Sequence, residues 1–173
     1  MIYVLGLGNV LMGDDGFGPT VVREFSATHV VGADVEVVDV GTPGLDMMPW
    51  LYDAHAVIIV DTIKSDARPG TLRVYDKKEI LHHAPSVRVG PHDPGVKEAL
   101  LTLEFAGRGP RDVVLVGVVP GDVGMALELT DPVRDAVPAA VEVIAGTLRR
   151  FGVPVAHVHA EPGPAPWWQD RHV

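Results

Sequence analysis

The sequence contains no cysteine among its 173 residues. This absence excludes disulfides, thiolate nucleophiles and the zinc or iron–sulfur sites that depend on cysteine. Any bound metal must be held by carboxylates, imidazoles and carbonyl oxygens. Two enzyme motifs are also absent, the Gly-Lys-Ser/Thr phosphate loop and the Gly-x-Ser-x-Gly turn of serine hydrolases.

Basic residues are few, and the formal net charge is -9 at pH 7. Because no cluster of Lys or Arg offsets this charge, we expect nucleic acids and anionic membranes to be repelled. No apolar run approaches the ~18 residues that a membrane helix needs. The N-terminus has neither the basic nor the apolar segment of a secretory signal, so we expect a cytoplasmic protein.

Apolar residues are arranged in short runs rich in Val and Ile. Hydrophobic residues make up 47% of the chain and charged residues 21%, as in a folded globular domain. Continuous apolar runs are typical of strands covered on both faces. Four such runs predict strands, at residues 2–7, 35–40, 56–60 and 113–119. A weaker run at residues 71–75 is expected to be an edge strand.

Helical patterns alternate with these strands. They lie at residues 17–26, at residues 45–52, after the Pro94–Gly95 turn, and after Thr130. Thr130 is expected to cap the last helix, and Pro138 to kink it or delay its regular start.

The alternation of strands and helices predicts a single α/β domain at residues 1–152. Its sheet should be mostly parallel, with helices on both faces. Residues 153–173 are rich in proline and are expected to form a tail whose paired tryptophans cover apolar surface of the domain.

Acidic residues follow the predicted strands. Asp14 and Asp15 come after the first strand, Asp39 ends the second, and Asp61 ends the third. In a sheet of this type, the ligand site lies outside the carboxyl ends of the strands. Carboxylates gathered there would repel one another unless they were protonated or bridged by a cation.

One histidine is a candidate metal ligand. His92 lies in a loop that Pro91 and Pro94 stiffen just before a helix. An imidazole combined with carboxylates from other loops suits a divalent transition metal and leaves coordination positions open. Taken singly, an Asp at a strand end is more often a turn former, so only the combination predicts a site. The other histidines considered are expected to be exposed and without function: His82, His83, His157 and His159.

A dinucleotide-binding protein is an alternative that the spacing disfavours. Gly6 and Gly8 match the first two glycines of the dinucleotide-binding fingerprint, but Leu11 stands at the third position. The first helix begins only after Gly16, too late to face a pyrophosphate held at Gly8. We therefore expect no nucleotide cofactor.

Residues 6–18, Gly-Leu-Gly-Asn-Val-Leu-Met-Gly-Asp-Asp-Gly-Phe-Gly, resemble the opening signature of the hydrogenase maturation endopeptidases. Further stretches agree with that family in order and spacing. They are residues 39–44, residues 57–61, the loop around His92, residues 116–120 and residues 127–130. The resemblance covers about residues 1–150 and does not extend to the last twenty or so.

The resemblance implies a twisted five-stranded sheet and metal contacts at Asp15, Asp61 and His92. Many members carry Glu at the position of Asp15, although an Asp-Asp-Gly branch exists. The implied activity is removal of the C-terminal extension from a nickel-loaded precursor of the hydrogenase large subunit. Nickel would be supplied by that partner, and the protein itself is expected to be a monomer.

The chemistry of cleavage stays open at this point. An acidic group could activate water, or a metal could polarise the scissile carbonyl. No residue is assigned as catalytic. A different function for the same three ligands would be to sense or deliver nickel without proteolysis.

Overall fold

The computed structural model describes residues 1–82 and 95–158. Within these ranges the strands are β1 (Ile2–Leu7), β2 (His29–Val31), β3 (Val35–Gly41), β4 (Ala56–Thr62), β5 (Leu72–Asp76), β6 (Asp112–Val118) and β7 (Val155–His157). The α-helices are α1 (Phe17–Thr28), α2 (Met48–Leu51), α3 (Lys77–His82), α4 (Val96–Phe105) and α5 (Asp131–Arg150). No helix in the described part of the chain is long and apolar enough to cross a membrane.

The main sheet has five strands in the order β3-β1-β4-β6-β5. All neighbours are parallel except β5, which runs antiparallel to β6 at one edge. Every residue of the central strand β4 is buried, which explains the uninterrupted apolar run at residues 56–60. The predicted α/β class, the mostly parallel sheet and the weak edge strand are confirmed.

Helices cover both faces of this sheet, as the alternating pattern predicts. On one face, α1 and α5 pack against inward-facing residues such as Val4 and Ile58. On the other face, α2, α3 and α4 pack against residues such as Leu5 and Ile59. The apolar stripe of α5 is buried throughout: Val133, Val137, Val141, Ile144 and Leu148.

Three local predictions need correction. The expected helix at residues 45–52 is a 3-10 turn at Gly44–Met47 followed by the single turn of α2. Helix α5 begins at Asp131 and continues through Pro138, so its regular start is not delayed. Thr130 occupies the N-cap position, but its side chain makes no capping hydrogen bond. The Thr130 hydroxyl donates to Asp14 instead, as described below.

A second sheet, formed by β2 and β7, was not predicted. The two strands are antiparallel and have three residues each, too few to give a clear periodicity. Strand β7 lies at the start of the segment predicted as a tail, and residues 159–173 lie outside the described residues. The division of the chain at residue 152 stays a prediction.

The strand order places a crevice beside β1. The chain goes from β1 to β3 on one side and then crosses to β4 on the other. Ligand sites of open α/β sheets lie at the carboxyl ends of the strands where the order reverses in this way. The loop after β1 and the end of β4 meet at this point.

Candidate functional site

Gly8 allows the chain to turn sharply at the end of β1. Its φ is +130°, a conformation that side chains rarely adopt, and a Cβ there would lie 1.8 Å from the backbone oxygen of Asp15. This position therefore requires glycine. Gly16 has an ordinary φ of -74°, and its Cβ would lie 3.2 Å from Cα of Val10. The obstruction at Gly16 is therefore present but milder.

Gly18 brings the first turn of α1 against the sheet. A Cβ on Gly18 would lie 2.2 Å from the Leu7 carbonyl oxygen and 2.5 Å from that of Val60. A Cβ on Gly6 would lie 2.6 Å from the Gly18 carbonyl oxygen. In the dinucleotide-binding fingerprint a third glycine allows the helix to pack closely on the sheet, and Leu11 occupies that position here. Gly18, in the first turn of α1, allows this close packing instead.

Asp14 and Asp15 are adjacent, but their side chains have different surroundings. The Asp14 carboxylate is fully buried and accepts hydrogen bonds from the backbone N–H groups of Gly121, Asp122 and Thr130 at 2.7–2.9 Å. The Thr130 hydroxyl donates a fourth at 2.9 Å. These donors satisfy the buried charge. Asp14 therefore ties the loop before α5 to the loop after β1.

Asp15 and Asp61 meet at the side chain of Thr62. The Thr62 hydroxyl oxygen lies 3.4 Å from Oδ1 of Asp15 and 3.5 Å from Oδ1 of Asp61. Asp15 also accepts a hydrogen bond from the backbone of Asn9 at 2.9 Å, which holds the loop after β1 in place. The backbone of Thr62 donates to Asp61 at 2.6 Å. Two of the three predicted metal ligands are thus brought together.

The environment of Asp61 favours a bound proton or cation. Its side chain lies at the end of a buried strand and is 1% exposed. Burial raises the pKa of the Asp61 carboxyl well above its ordinary value, and the Asp15 carboxylate raises it further, whereas hydrogen bonds from Thr62 lower it. A divalent cation between the two carboxylates would compensate both charges. The oxygen donors present therefore fit a metal ion.

His92 lies outside the described residues, so its position relative to Asp15 and Asp61 stays a prediction. In residues 1–82 and 95–158, no group of three or more His, Asp or Glu side chains could hold a metal ion. The described residues therefore provide no third protein ligand beside Asp15 and Asp61. Of the other histidines, His82 and His157 are exposed, as expected, and His83 and His159 are not among the described residues.

Asp39 does not join the other carboxylates. It is exposed on β3, and its Oδ1 accepts a hydrogen bond from the backbone of Gly41 at 3.0 Å, which makes it a turn former. Strand β1 separates it from β4, since Gly6 pairs with Asp39 on one side and Val60 on the other. The expected gathering of acidic residues at the strand ends thus holds for Asp15 and Asp61 but not for Asp39.

A narrow crevice leads to Asp61. It is lined by Leu7 and Gly8, by the loop of residues 41–44, by Met47 and by Asp61. Gly41 and Gly44 in this loop have positive φ angles of 61° and 54°. The Gly8 N–H donates to the Gly41 carbonyl at 2.8 Å, so this loop is joined to the end of β1.

Comparisons with known proteins agree with this architecture. The family model of hydrogenase maturation proteases matches residues 19–147. Hydrogenase expression/formation protein HupD of Rhizobium leguminosarum bv. viciae is 34% identical over 155 residues, which are 89% of this chain and 77% of that protein. Hydrogenase 2 maturation protease of Escherichia coli is 31% identical over 156 residues, 88% of this chain and 93% of its own.

A solved structure is similar over nearly the whole fold. The hydrogenase maturating endopeptidase HybD from E. coli superimposes with a TM-score of 0.82 at 28% identity, covering 90% of this chain and 96% of that one. The region that the family model matches contains most of α1 and α5 and the whole of the main sheet beyond β1. With the same fold, matching relatives and a family model over most of its length, the chain belongs to the hydrogenase maturation protease family.

Proposed function

We propose that this protease removes the C-terminal extension of a nickel-loaded hydrogenase large-subunit precursor, and that it recognises the precursor through its bound nickel. Asp15, Asp61 and His92 would contact that metal. The nickel is part of the substrate in this proposal, so the protein needs only an incomplete ligand set of its own. Cleavage would then depend on prior metal loading of the precursor.

The observation that carries the proposal is the pairing of Asp15 with the buried Asp61 around one hydroxyl. Two carboxylates beside one hydroxyl, one of them shielded from water, favour a shared cation over two separate charges. Carboxylate oxygens alone would also suit magnesium or calcium. A nitrogen ligand from His92 would shift the preference toward a borderline transition metal such as nickel.

The crevice marks the side from which the peptide would approach Asp61. The peptide would lie over the outside of the crevice, because the Gly8 N–H donates to the Gly41 carbonyl at 2.8 Å and leaves no gap between Gly8 and residues 41–44. Hydrolysis would consume one water and release a new carboxylate and a new amine. Asp14 is engaged in four hydrogen bonds and is assigned a structural role rather than that of general base. The general base is left unassigned.

The test is an incubation of purified protein with nickel-loaded and nickel-free precursor, followed by mass measurement of the large subunit. We expect loss of the C-terminal peptide only from the nickel-loaded form. Asp61→Asn should lower the rate by at least roughly a hundredfold, as expected when a group that orients the substrate is removed. The matched control is Asp34→Asn, an exposed Asp just before β3 at the other end of the sheet.

Equal cleavage of both precursors would contradict nickel recognition. Binding of the nickel-loaded precursor without any cleavage would instead favour the non-proteolytic sensing or delivery function. A normal rate for Asp61→Asn would remove Asp61 from the proposed ligand set.

A further inference from the structure

A long connection joins β6 to α5. Residues 119–130 contain no helix and no extended strand, and loops of this length without secondary structure are uncommon and often functional. Asp14 fixes this connection at both ends, through Gly121 and Asp122 near its start and Thr130 at its end. We refer to residues 120–130 as the clamped loop.

The middle of the clamped loop pairs with the loop after β1. Met12 and Ala126 form a parallel bridge, in which Gly13 donates to the Ala126 carbonyl at 2.8 Å and Ala126 donates to the Leu11 carbonyl at 3.2 Å. A Cβ on Gly13 would lie 2.9 Å from the Asp122 backbone oxygen, so the two backbones are in close contact. The two loops form one continuous surface.

Three exposed apolar side chains belong to this surface, together with the exposed Asp122 and Glu128. Leu11 is 43% exposed, Met125 92% and Leu127 51%. The Ala126 N–H donates to the Leu11 carbonyl, and Met125 and Leu127 flank Ala126, so the three apolar residues come from adjoining backbone. Large exposed apolar side chains grouped in this way mark interaction sites.

We propose that Leu11, Met125 and Leu127 form a docking surface for an apolar segment of the large-subunit precursor, which holds that substrate beside the metal site. The inference rests on the proposed function. Its main support is that the surface adjoins the candidate site. Leu11 belongs to the same loop as Asp15, and the adjacent Asp14 accepts the hydrogen bonds that hold the clamped loop in place. Methionine adapts its shape readily to a partner surface.

The negative charge of the protein limits which segments of the precursor can bind this surface. Residues 120–130 include Asp122 and Glu128 and no Lys or Arg, and the whole chain carries a net charge of -9. An acidic segment would be repelled from such a surface. The docked segment should therefore be apolar and either uncharged or flanked by basic residues.

Phe105 provides a contrast on the same molecule. It is 98% exposed at the end of α4, the helix that precedes β6. Because α4 leads into the amino end of β6, Phe105 lies toward the amino ends of the parallel strands. Asp15 and Asp61 lie at their carboxyl ends. It is therefore a matched control, an exposed apolar side chain without connection to the site.

The experiment compares wild type, the double variant Met125→Ser/Leu127→Ser and the control Phe105→Ser. Initial rates are measured over a range of nickel-loaded precursor concentrations. We expect the double variant to lose roughly tenfold to a hundredfold in rate at subsaturating precursor. Its rate at saturation should stay within about twofold of wild type, because the surface binds but does not react. Phe105→Ser should match wild type at all concentrations.

Binding is also measured directly, by surface immobilisation of nickel-free precursor, so that the outcome does not depend on cleavage. The double variant should bind this precursor more weakly by a similar factor, and melting curves should match wild type because the altered side chains are exposed. Unchanged binding and unchanged KM in the double variant would overturn the docking surface. The proposal would also be overturned if wild type were a dimer and the double variant a monomer, because the surface would then serve self-association. Failure of wild type to cleave, with binding still sensitive to the double variant, would count against the proposed function alone.

Discussion

Asp15 and Asp61 approach the same hydroxyl from two different parts of the chain. Oδ1 of each lies within 3.5 Å of the Thr62 hydroxyl oxygen. A hydroxyl has one hydrogen, so it can donate to only one of these carboxylates at a time. The other carboxylate faces an oxygen lone pair. The metal-free site is therefore electrostatically unfavourable when both groups are ionised.

Asp61→Asn should increase the free energy of unfolding at pH 7. The folded protein raises the pKa of Asp61, so this group contributes stability below its ordinary pKa of ~3.9 and loses it as pH rises toward the folded value. The stability difference between Asp61→Asn and wild type should therefore grow from pH 4 to pH 7. Urea unfolding at several pH values measures it, with Asp34→Asn as the control. A difference that is constant with pH would contradict the assigned direction.

His92→Ala should abolish processing while leaving the fold intact. A side chain between Pro91 and Pro94 is expected to contribute little to the core, so its truncation should cost less than about 1 kcal/mol of stability. Loss of the nitrogen ligand would leave only oxygen donors for nickel. The measurement is the mass of the large subunit after incubation, beside a circular dichroism melt. His55→Ala, an exposed histidine just before β4, is the matched control. Full-rate cleavage by folded His92→Ala would exclude the histidine from the ligand set.

Gly8→Ala should be far more damaging than Gly16→Ala. The new Cβ at position 8 would overlap the Asp15 backbone oxygen and impose a positive φ on alanine, whereas the one at position 16 meets only a tight contact at 3.2 Å. We expect a loss of about 2 kcal/mol or more at Gly8 and a smaller loss at Gly16. Gly146→Ala, in α5 with no atom within 4 Å of the new Cβ, should be neutral or stabilising by up to about 1 kcal/mol. Equal losses at positions 8 and 16 would be inconsistent with this geometry.

Asp14→Asn should destabilise the protein by about 2–4 kcal/mol. The carboxylate accepts four hydrogen bonds, and an amide would turn an NH2 group toward donors that need an acceptor. The clamped loop should open before the rest of the domain. Hydrogen exchange at Gly121, Asp122 and Thr130 is the direct measurement. Unchanged protection at these amides would show that Asp14 does not hold the loop.

His29 should make the protein less stable as pH falls below ~6.5. Its ring stacks on Phe25 at 4.8 Å and meets the edge of His157 at 5.0 Å. Burial lowers the pKa of His29; the charges of His157 and Arg149 lower it as well, while Glu142 and the Phe25 carbonyl raise it. A lowered pKa means stability that is present above ~6.5 and is lost as pH falls through the folded value.

The measurement is urea unfolding between pH 5 and pH 8. His29→Gln should be less stable than wild type at high pH because the ring contacts are lost, but its stability should change less with pH. His55→Gln should retain the wild-type slope. An equally steep slope in His29→Gln would assign the acid sensitivity to other groups.

The sequence predicted what depends on local periodicity. The Val- and Ile-rich run predicted strand β4, and the apolar positions that repeat at helical spacing predicted helix α5. Each pattern is contained within a short stretch of the chain. The acidic residues at the strand ends became candidates for a topological reason, because parallel strands bring their carboxyl ends to one edge. The resemblance to the family then selected Asp15 and Asp61 among them. The position of His92 in the site is still a prediction.

Contacts between distant segments could not be predicted in the same way. The structural role of Asp14 gave no sequence signal, because its partners at Gly121, Asp122 and Thr130 are more than a hundred positions away. Thr130 looked like a helix cap for a similar reason: its hydroxyl can accept from a nearby helical N–H or donate to a distant acceptor, and local sequence reveals only the first possibility. Thr62 gave no signal, since a buried threonine at a strand end is ordinary until both neighbouring carboxylates are placed.

The hydrogen bonds between Asp14 and the clamped loop also determine when the candidate site can form during synthesis. The chain leaves the ribosome from its N-terminus, so the turn carrying Asp14 and Asp15 emerges long before its hydrogen-bond donors. Until Thr130 has been synthesised, the Asp14 carboxylate lacks the full set of four hydrogen bonds that permits its burial. A nascent chain therefore cannot complete the turn that orients Asp15. Proteolytic competence should therefore appear only after Thr130 has been synthesised.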